Sequence, residues 1–243
     1  DLARLRSRFE EAEACYARAV ALDGTSQTAR ENLSNAIACQ GRMAEAEQLH
    51  KKLAEIQRVV FIVHGIRDYG YWTRKMAAHI RREARQQSIA CRCVTSSYGF
   101  FPMGPFLLPW VRRRRAEWLM DQYVQAKALY PRAIFSFIGH SNGTYLLTSA
   151  LLSCPALAFE SVVFAGSVVS TRFPWAELIA GTLPGAGKVK RLANYIATGD
   201  WVVATVPKFF QLIRWLDLGS AGHDGFKCDH PAVRQLRYVP GQH

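Results

Sequence analysis

Residues 134–145, Ile-Phe-Ser-Phe-Ile-Gly-His-Ser-Asn-Gly-Thr-Tyr, decide how this chain folds. The apolar run Ile134–Ile138 predicts a buried strand, and a helical pattern follows the pentapeptide Gly-His-Ser-Asn-Gly at 139–143. The two glycines of this Gly-x-Ser-x-Gly motif would let strand and helix approach closely, and the sharp turn would lift the Ser141 hydroxyl clear of the sheet. In this strand, turn and helix context, the motif indicates a nucleophilic serine.

Short apolar runs alternate with helical stretches on both sides of this motif. The predicted strands are Val59–Val63, Ile89–Thr95, Ile134–Ile138, Ser161–Ala165, Leu192–Ala197 and Val233–Val239. The predicted helices are Trp72–Gln86, Arg113–Leu129, Thr144–Leu152 and Val202–Leu216. Alternation of this kind predicts an α/β fold, with a mostly parallel sheet of about six strands and helices on both of its faces.

Residues 1–57 have a different character, with apolar residues at helical spacing and no proline. Five of them, Ala12, Cys15, Tyr16, Ala19 and Leu22, recur 34 residues later as Ala46, Leu49, His50, Leu53 and Ile56. A 34-residue period of helix pairs is the tetratricopeptide spacing, and the segment resembles that repeat family. We therefore divide the chain into helical repeat hairpins at 1–57 and an α/β domain at 58–243. We expect further repeats upstream of Asp1.

The α/β part resembles the α/β-hydrolase superfamily. Its pentapeptide matches the nucleophile elbow of that family, and strand Val59–Val63 runs into His64-Gly65-Ile66, as the family's oxyanion strand does. The resemblance implies that the backbone amides of Ile66 and Asn142 form an oxyanion hole. His64 we interpret as a structural residue that packs this loop.

A serine hydroxyl needs a base, and the base needs an orienting carboxylate. The family order, with the acid after the next-but-one strand and the histidine after the last, implies Asp200 as the acid and His243 as the base. His223, in a glycine-bounded turn, is the alternative base. With His243 at the end of the last strand, we expect the family's final helix to follow it.

The predicted activity is therefore that of a serine hydrolase with a Ser141-His243-Asp200 triad. It would cleave a carboxylic ester, a thioester or a lipid through an acyl-enzyme and would need no metal or organic cofactor. Its partners would be a small-molecule acyl substrate and a protein bound through the helical repeats. The alternative is a catalytically silent hydrolase fold that serves as a scaffold or binding module.

Composition limits which other classes of protein the chain could belong to. The hydrophobic content of 49% suits a globular core, and no run reaches the roughly 18 apolar residues of a membrane span. The net charge of +12 lies largely in local clusters such as Arg112–Arg115, without a nucleic-acid-binding signature. With the aromatic residues of Tyr98–Trp110, that cluster could instead contact an anionic membrane surface or cap a pocket. Six scattered cysteines without metal-ligand spacing fit free thiols and a cytoplasmic location.

Overall fold

In the computed structural model, three N-terminal helices precede an α/β unit. The structure describes residues 2–22, 27–53, 56–66, 70–95, 99, 102, 108–182, 187–197 and 219–238. The described strands are β1 Arg58–Val63, β2 Cys91–Val94, β3 Ile134–His140, β4 Phe159–Ala165, β5 Val189–Ala197 and β6 Val233–Tyr238. The described helices are α1 Leu2–Leu22, α2 Gln27–Cys39, α3 Met43–Leu53, α4 Tyr71–Gln86, α5 Pro109–Leu129, α6 Asn142–Ser153, α7 Trp175–Ala180 and α8 Ala221–Asp224.

The six strands form one sheet in the order β2-β1-β3-β4-β5-β6, and every neighbouring pair is parallel. The predicted α/β fold with about six strands is therefore confirmed. Because the strands are parallel, their carboxyl ends share one edge of the sheet. At that edge Val63 lies opposite Gly139, and His140 lies opposite Ala165. The loops after β1, β3 and β4 therefore meet at one place.

Helices cover both faces of the sheet, as predicted. On one face, Phe135 and Phe137 of β3 pack with Leu119 of α5 and Leu146 of α6 in the main core. On the other face, a smaller cluster joins Ile62 of β1 to α4 and β2 through the buried residues Ala77, Cys91 and Cys93. Alternating strand residues supply the two cores because successive side chains of a strand point to opposite faces.

The first three helices pack into a hairpin array around Leu33, Ile37 and Ala46. The prediction of helices within residues 1–57 is confirmed over the described part. Glu31 of α2 joins this array to the α/β unit: the Tyr130 hydroxyl donates to it at 2.7 Å, and the Arg92 guanidinium lies 3.5 Å away. Burial, and after it the bond to Glu31, raises the pKa of Tyr130.

Three described helices differ from the sequence prediction: one begins earlier than predicted, and two were not predicted. Helix α5 begins at Pro109 instead of Arg113, because proline is well tolerated at the first position of a helix. Helices α7 and α8 were not predicted, since six and four residues are too few to show a helical period. The predicted helix Val202–Leu216 lies outside the described residues. In the described part of the chain, no helix has both the length and the apolar composition needed to cross a bilayer.

Lys188 stabilises the carboxyl end of α6. Its side chain is buried, and its Nζ donates to the carbonyl oxygens of Leu151 at 2.5 Å and Cys154 at 3.3 Å. We expect Lys188→Met to lower the free energy of unfolding by about 1 to 3 kcal/mol, because those carbonyls would lose a charged donor inside the protein. Chemical denaturation measures the change.

Lys190→Met is the matched control for this prediction. Lys190 stands two residues away, and its side chain is 69% exposed in an ion pair with Glu160. An exposed pair of this kind is worth less than about 1 kcal/mol. Equal losses in the two variants would contradict the capping role of Lys188.

Candidate active site

Ser141 occupies the turn between β3 and α6 in a rare backbone conformation, with φ 49° and ψ −118°. Among the described residues, Ser88 is the only other non-glycine residue with a positive φ. Such a conformation costs on the order of 1 to 3 kcal/mol and persists only where surrounding contacts enforce it. It presents the serine at the carboxyl edge of the sheet.

Two glycines permit this turn, as the motif predicts. A Cβ on Gly139 would lie 3.2 Å from the backbone of Gly143, between strand and helix. A Cβ on Gly143 would lie 2.5 Å from the carbonyl oxygen of Val63 in β1. Strand β3, helix α6 and the end of β1 are therefore packed backbone against backbone around Ser141.

Hydrogen bonds hold the turn in place. The Ser141 amide donates to the carbonyl oxygen of Ala165 at 3.1 Å, which ties the turn to β4. The Ser141 carbonyl accepts from the Thr144 amide at 2.9 Å and from the Thr144 hydroxyl at 2.7 Å. Thr144 Oγ1 in turn accepts from the Val168 amide at 3.2 Å. Strand β4 and the loop that follows it therefore restrain the turn.

The loop after β1 passes directly against the serine. A Cβ on Gly65 would lie 2.9 Å from Ser141 Cβ and 3.3 Å from Ser141 Oγ, so only glycine fits there. Ile66, the next residue, is half-buried against the main core, and Asn142 is fully buried at the start of α6. The loop at Gly65 and the start of α6 at Asn142 therefore both border Ser141. The oxyanion hole formed by the amides of Ile66 and Asn142 stays a prediction.

His64 lies inside this loop. Its side chain is buried, and its Nδ1 donates to the carbonyl oxygen of Gly65 at 2.8 Å. Gly70 passes close to the same ring, since a Cβ there would lie 3.0 Å from His64 Cδ2. These contacts fit the structural interpretation of His64.

The predicted acid and base are not among the described residues. Asp200 and His243 both lie outside them. The alternative base His223 is described: it lies in α8, and its Nδ1 donates to Asp224 Oδ1 at 2.8 Å. The other Asp224 oxygen accepts from the Ser220 hydroxyl. The sequence analysis missed this Ser220-Asp224-His223 chain, although the dipeptide His-Asp is a visible signal for it.

Segment 219–224 is docked against the loop after β4. A Cβ on Gly222 would lie 2.3 Å from the Ser167 amide nitrogen, and one on Gly219 would lie 2.3 Å from Ser170 Cα. Ser167 also reaches Thr144, whose hydroxyl lies 3.5 Å from its own. His223 is therefore carried on a segment that packs next to the Ser141 turn.

The Asp224 carboxyl has a lowered pKa. The Ser220 hydroxyl, and after it the His223 ring, hold the pKa of Asp224 below its usual range. A lowered carboxyl pKa stabilises the folded state above pH about 4, and this contribution is lost as the pH falls through the folded-state pKa.

NMR titration should show that Ser220→Ala raises the pKa of Asp224 more than His223→Ala does. An unchanged pKa in Ser220→Ala would contradict the hydrogen-bonded chain.

An apolar cavity of about 610 Å³ opens beside the pentapeptide, on the α4 face of the sheet. Its lining includes Trp72, Ile138, His140, Val163 and Tyr195. The rings of Trp72 and His140 pack edge to face, with their centroids 6.0 Å apart. An apolar group of a substrate could be accommodated next to the residue that precedes Ser141.

The described residues include no group of three or more His, Cys, Asp or Glu side chains that could hold a metal ion. Comparison of the chain with protein-family models, with curated proteins and with solved structures gives no match in any of the three. The activity is therefore inferred from the residues around Ser141.

Proposed function

We propose that this chain is a serine hydrolase with an α/β-hydrolase fold. The observation that carries the proposal is the positive φ of Ser141 at the end of a central strand, where Gly65, Gly139 and Gly143 allow close packing around it. A serine kept in a costly conformation by three such contacts is typical of a nucleophile elbow.

The order of the sheet supports the same proposal. Ser141 follows β3, which has two strands on one side and three on the other. In open parallel sheets, ligands bind at the carboxyl ends of the strands. The loops after β1 and β4 flank Ser141 there, so a substrate bound at this edge would meet the hydroxyl first.

The mechanism begins with attack by Ser141 Oγ on the acyl carbon of an ester-like bond, as its proton passes to His243. The Ile66 and Asn142 amides would stabilise the negative charge that develops on the carbonyl oxygen. The intermediate then collapses to an acyl-enzyme, and the leaving group takes the proton from the imidazole, which Asp200 orients. Water attacks the acyl-enzyme in the same way, and the acid product is released with Ser141 restored.

The surroundings of the serine support the proposed substrate class. A carboxylic ester, thioester or lipid has an apolar acyl part, and the cavity beside His140 has an apolar lining. The reaction at Ser141 is the same for each of these substrates, because only the leaving group differs.

We propose that the N-terminal helices form tetratricopeptide-like repeats that bind a protein partner. The residues that recur after 34 positions lie on helices α1 and α3, except Ile56, which follows α3. Helix α2 packs between these two helices around Leu33 and Ile37. A single helix pair of such an array does not bury its own apolar face. Neighbouring repeats or a partner would cover it.

We further propose that the basic cluster contacts an anionic membrane surface. The fold limits which residues of the cluster could take part. Trp110 at the start of α5 is 62% exposed, and Arg113 and Arg114 are exposed beside it. Arg112 is fully buried instead, with its guanidinium 4.9 Å from the centre of the Tyr145 ring. Only part of the basic cluster is therefore available to lipid headgroups.

Labelling by a fluorescent fluorophosphonate tests the proposed triad. Labelling needs an activated serine, so its rate should fall by roughly three orders of magnitude or more in His243→Ala, while His223→Ala should retain it. His223→Ala is the matched control because both variants remove one imidazole. If His223→Ala loses labelling and His243→Ala keeps it, the base is His223, and the assigned triad is wrong.

A further inference from the structure

A second cavity lies on the opposite face of the sheet from the apolar cavity beside His140. It is a groove of about 380 Å³ between α5, α6 and the loop after β4. Its lining on α6 extends from Tyr145 to Ser153, about two turns of the helix. We call it the α5–α6 groove, and the proposed hydrolase reaction makes no use of it.

The polar half of the α5–α6 groove suits an anion. Arg113 contributes a guanidinium, and Ser149, Ser153 and Ser170 contribute hydroxyls. None of the described residues that line the groove is acidic. Arg113 takes part in no ion pair with any residue in the described ranges, so its charge is not neutralised by a carboxylate there.

A second arginine lies behind this wall. Arg112 is fully buried, and its guanidinium stacks on Tyr145, whose ring lines the groove. Arg113 is therefore the arginine that lines the groove, and Arg112 lies behind Tyr145.

The other half of the groove is apolar. Leu152 is 57% exposed on α6, and Val169 and Phe173 lie opposite it on the loop after β4. A ligand with a hydrocarbon part would cover Leu152 and gain the free energy of burying that surface. A purely polar ion would leave it in water.

We propose that the α5–α6 groove binds an alkyl phosphate, that is, a phosphate monoester attached to a hydrocarbon chain. Phosphate is favoured over carboxylate because its oxygens are numerous enough to accept from the Arg113 fork and from several serine hydroxyls together. The hydrocarbon part lies along Leu152 and Phe173. The ligand could come free from solution or as a phosphate headgroup at a lipid surface.

Calorimetric titration of the full chain with octyl phosphate tests this proposal. We expect saturable binding that Arg113→Ala weakens by about tenfold or more, because a charge-assisted bidentate contact is lost. Arg114→Ala is the matched control: it removes the same charge from the next residue, which does not line the groove. Octyl glucoside, with the same chain and a neutral headgroup, should bind far more weakly than octyl phosphate.

Two further arms identify the source of the ligand. Flotation with vesicles that contain phosphatidic acid, against vesicles of phosphatidylcholine alone, shows whether the groove takes its phosphate from a membrane. Flotation that Arg113→Ala abolishes and Arg114→Ala retains indicates a lipid headgroup in the groove, and octyl phosphate binding without flotation indicates a free ligand. Either result supports the groove as an alkyl phosphate site.

The proposal is overturned if octyl phosphate fails to bind at about millimolar concentration, or if Arg113→Ala and Arg114→Ala weaken it equally. Circular dichroism of both variants verifies that they are folded. Fluorophosphonate labelling of Ser141 is read in parallel. Absence of labelling in the unmodified chain would count against the proposed hydrolase. It would leave the conclusion on the groove unchanged.

Discussion

Replacement of Ser141 by alanine is expected to lower kcat for ester hydrolysis by roughly four to six orders of magnitude. The residual rate would be that of a site that binds and polarises the carbonyl but has no nucleophile to form the acyl-enzyme. Hydrolysis of p-nitrophenyl esters of increasing chain length measures the loss and also tests the apolar cavity beside His140. Circular dichroism confirms that the variant is folded.

Ser136→Ala is the control for this prediction. Ser136 lies in the same strand as the elbow, five residues before Ser141, and is half-buried. It has no role in the proposed reaction, so hydrolysis should stay within about twofold of the unmodified chain. Undiminished hydrolysis by folded Ser141→Ala would rule out the proposed nucleophile.

Gly143→Ala is expected to have the second largest effect, on both stability and activity. Its Cβ would lie 2.5 Å from the carbonyl oxygen of Val63 and 3.2 Å from that of His64. Both atoms belong to the backbone, so neither can rotate away as a side chain would. We expect a loss of about 3 kcal/mol in the free energy of unfolding, at the upper end of overpacking. Hydrolysis should fall by tenfold or more, since the elbow would move away from the loop after β1.

Gly41→Ala separates crowding from backbone strain. Gly41 has φ 82°, but a Cβ there would meet nothing within 4 Å. Gly41→Ala should lower the free energy of unfolding by about 1 to 2 kcal/mol, which is the cost of the left-handed conformation alone. It should leave hydrolysis unchanged. If Gly143→Ala is no more costly than Gly41→Ala and remains active, the close packing of the elbow is not what maintains it.

Several strands of the sheet were predictable because they are short apolar runs, with β1 buried over five of its six residues. Strands β1 and β3 read directly as such runs, and their observed bounds differ from prediction by two residues or fewer. Helix starts were harder to predict, since Pro109 and Trp110 resemble a loop by composition. The burial of Arg112 could not be predicted either. Nothing in a run of four arginines indicates which one packs on Tyr145.

The site was predictable only where its parts are adjacent in sequence. Gly139, Ser141 and Gly143 fall within one motif, so their close contacts could be anticipated from it. The contact of Gly222 with Ser167 joins segments more than 50 residues apart, and no local pattern signals it. The Ser220-Asp224-His223 chain is local by contrast, and the dipeptide His-Asp could have indicated it. The roles of Asp200 and His243 stay predictions.

The most direct measurement of the central claim is mass spectrometry of the chain after treatment with a fluorophosphonate. Digestion should yield one phosphonylated peptide, with the adduct on Ser141 and none on Ser136 or Ser149. A single adduct at Ser141 would establish an activated serine at the elbow between β3 and α6. A folded chain that carries no adduct, or carries it on another serine, would contradict the proposed hydrolase and favour a catalytically silent scaffold.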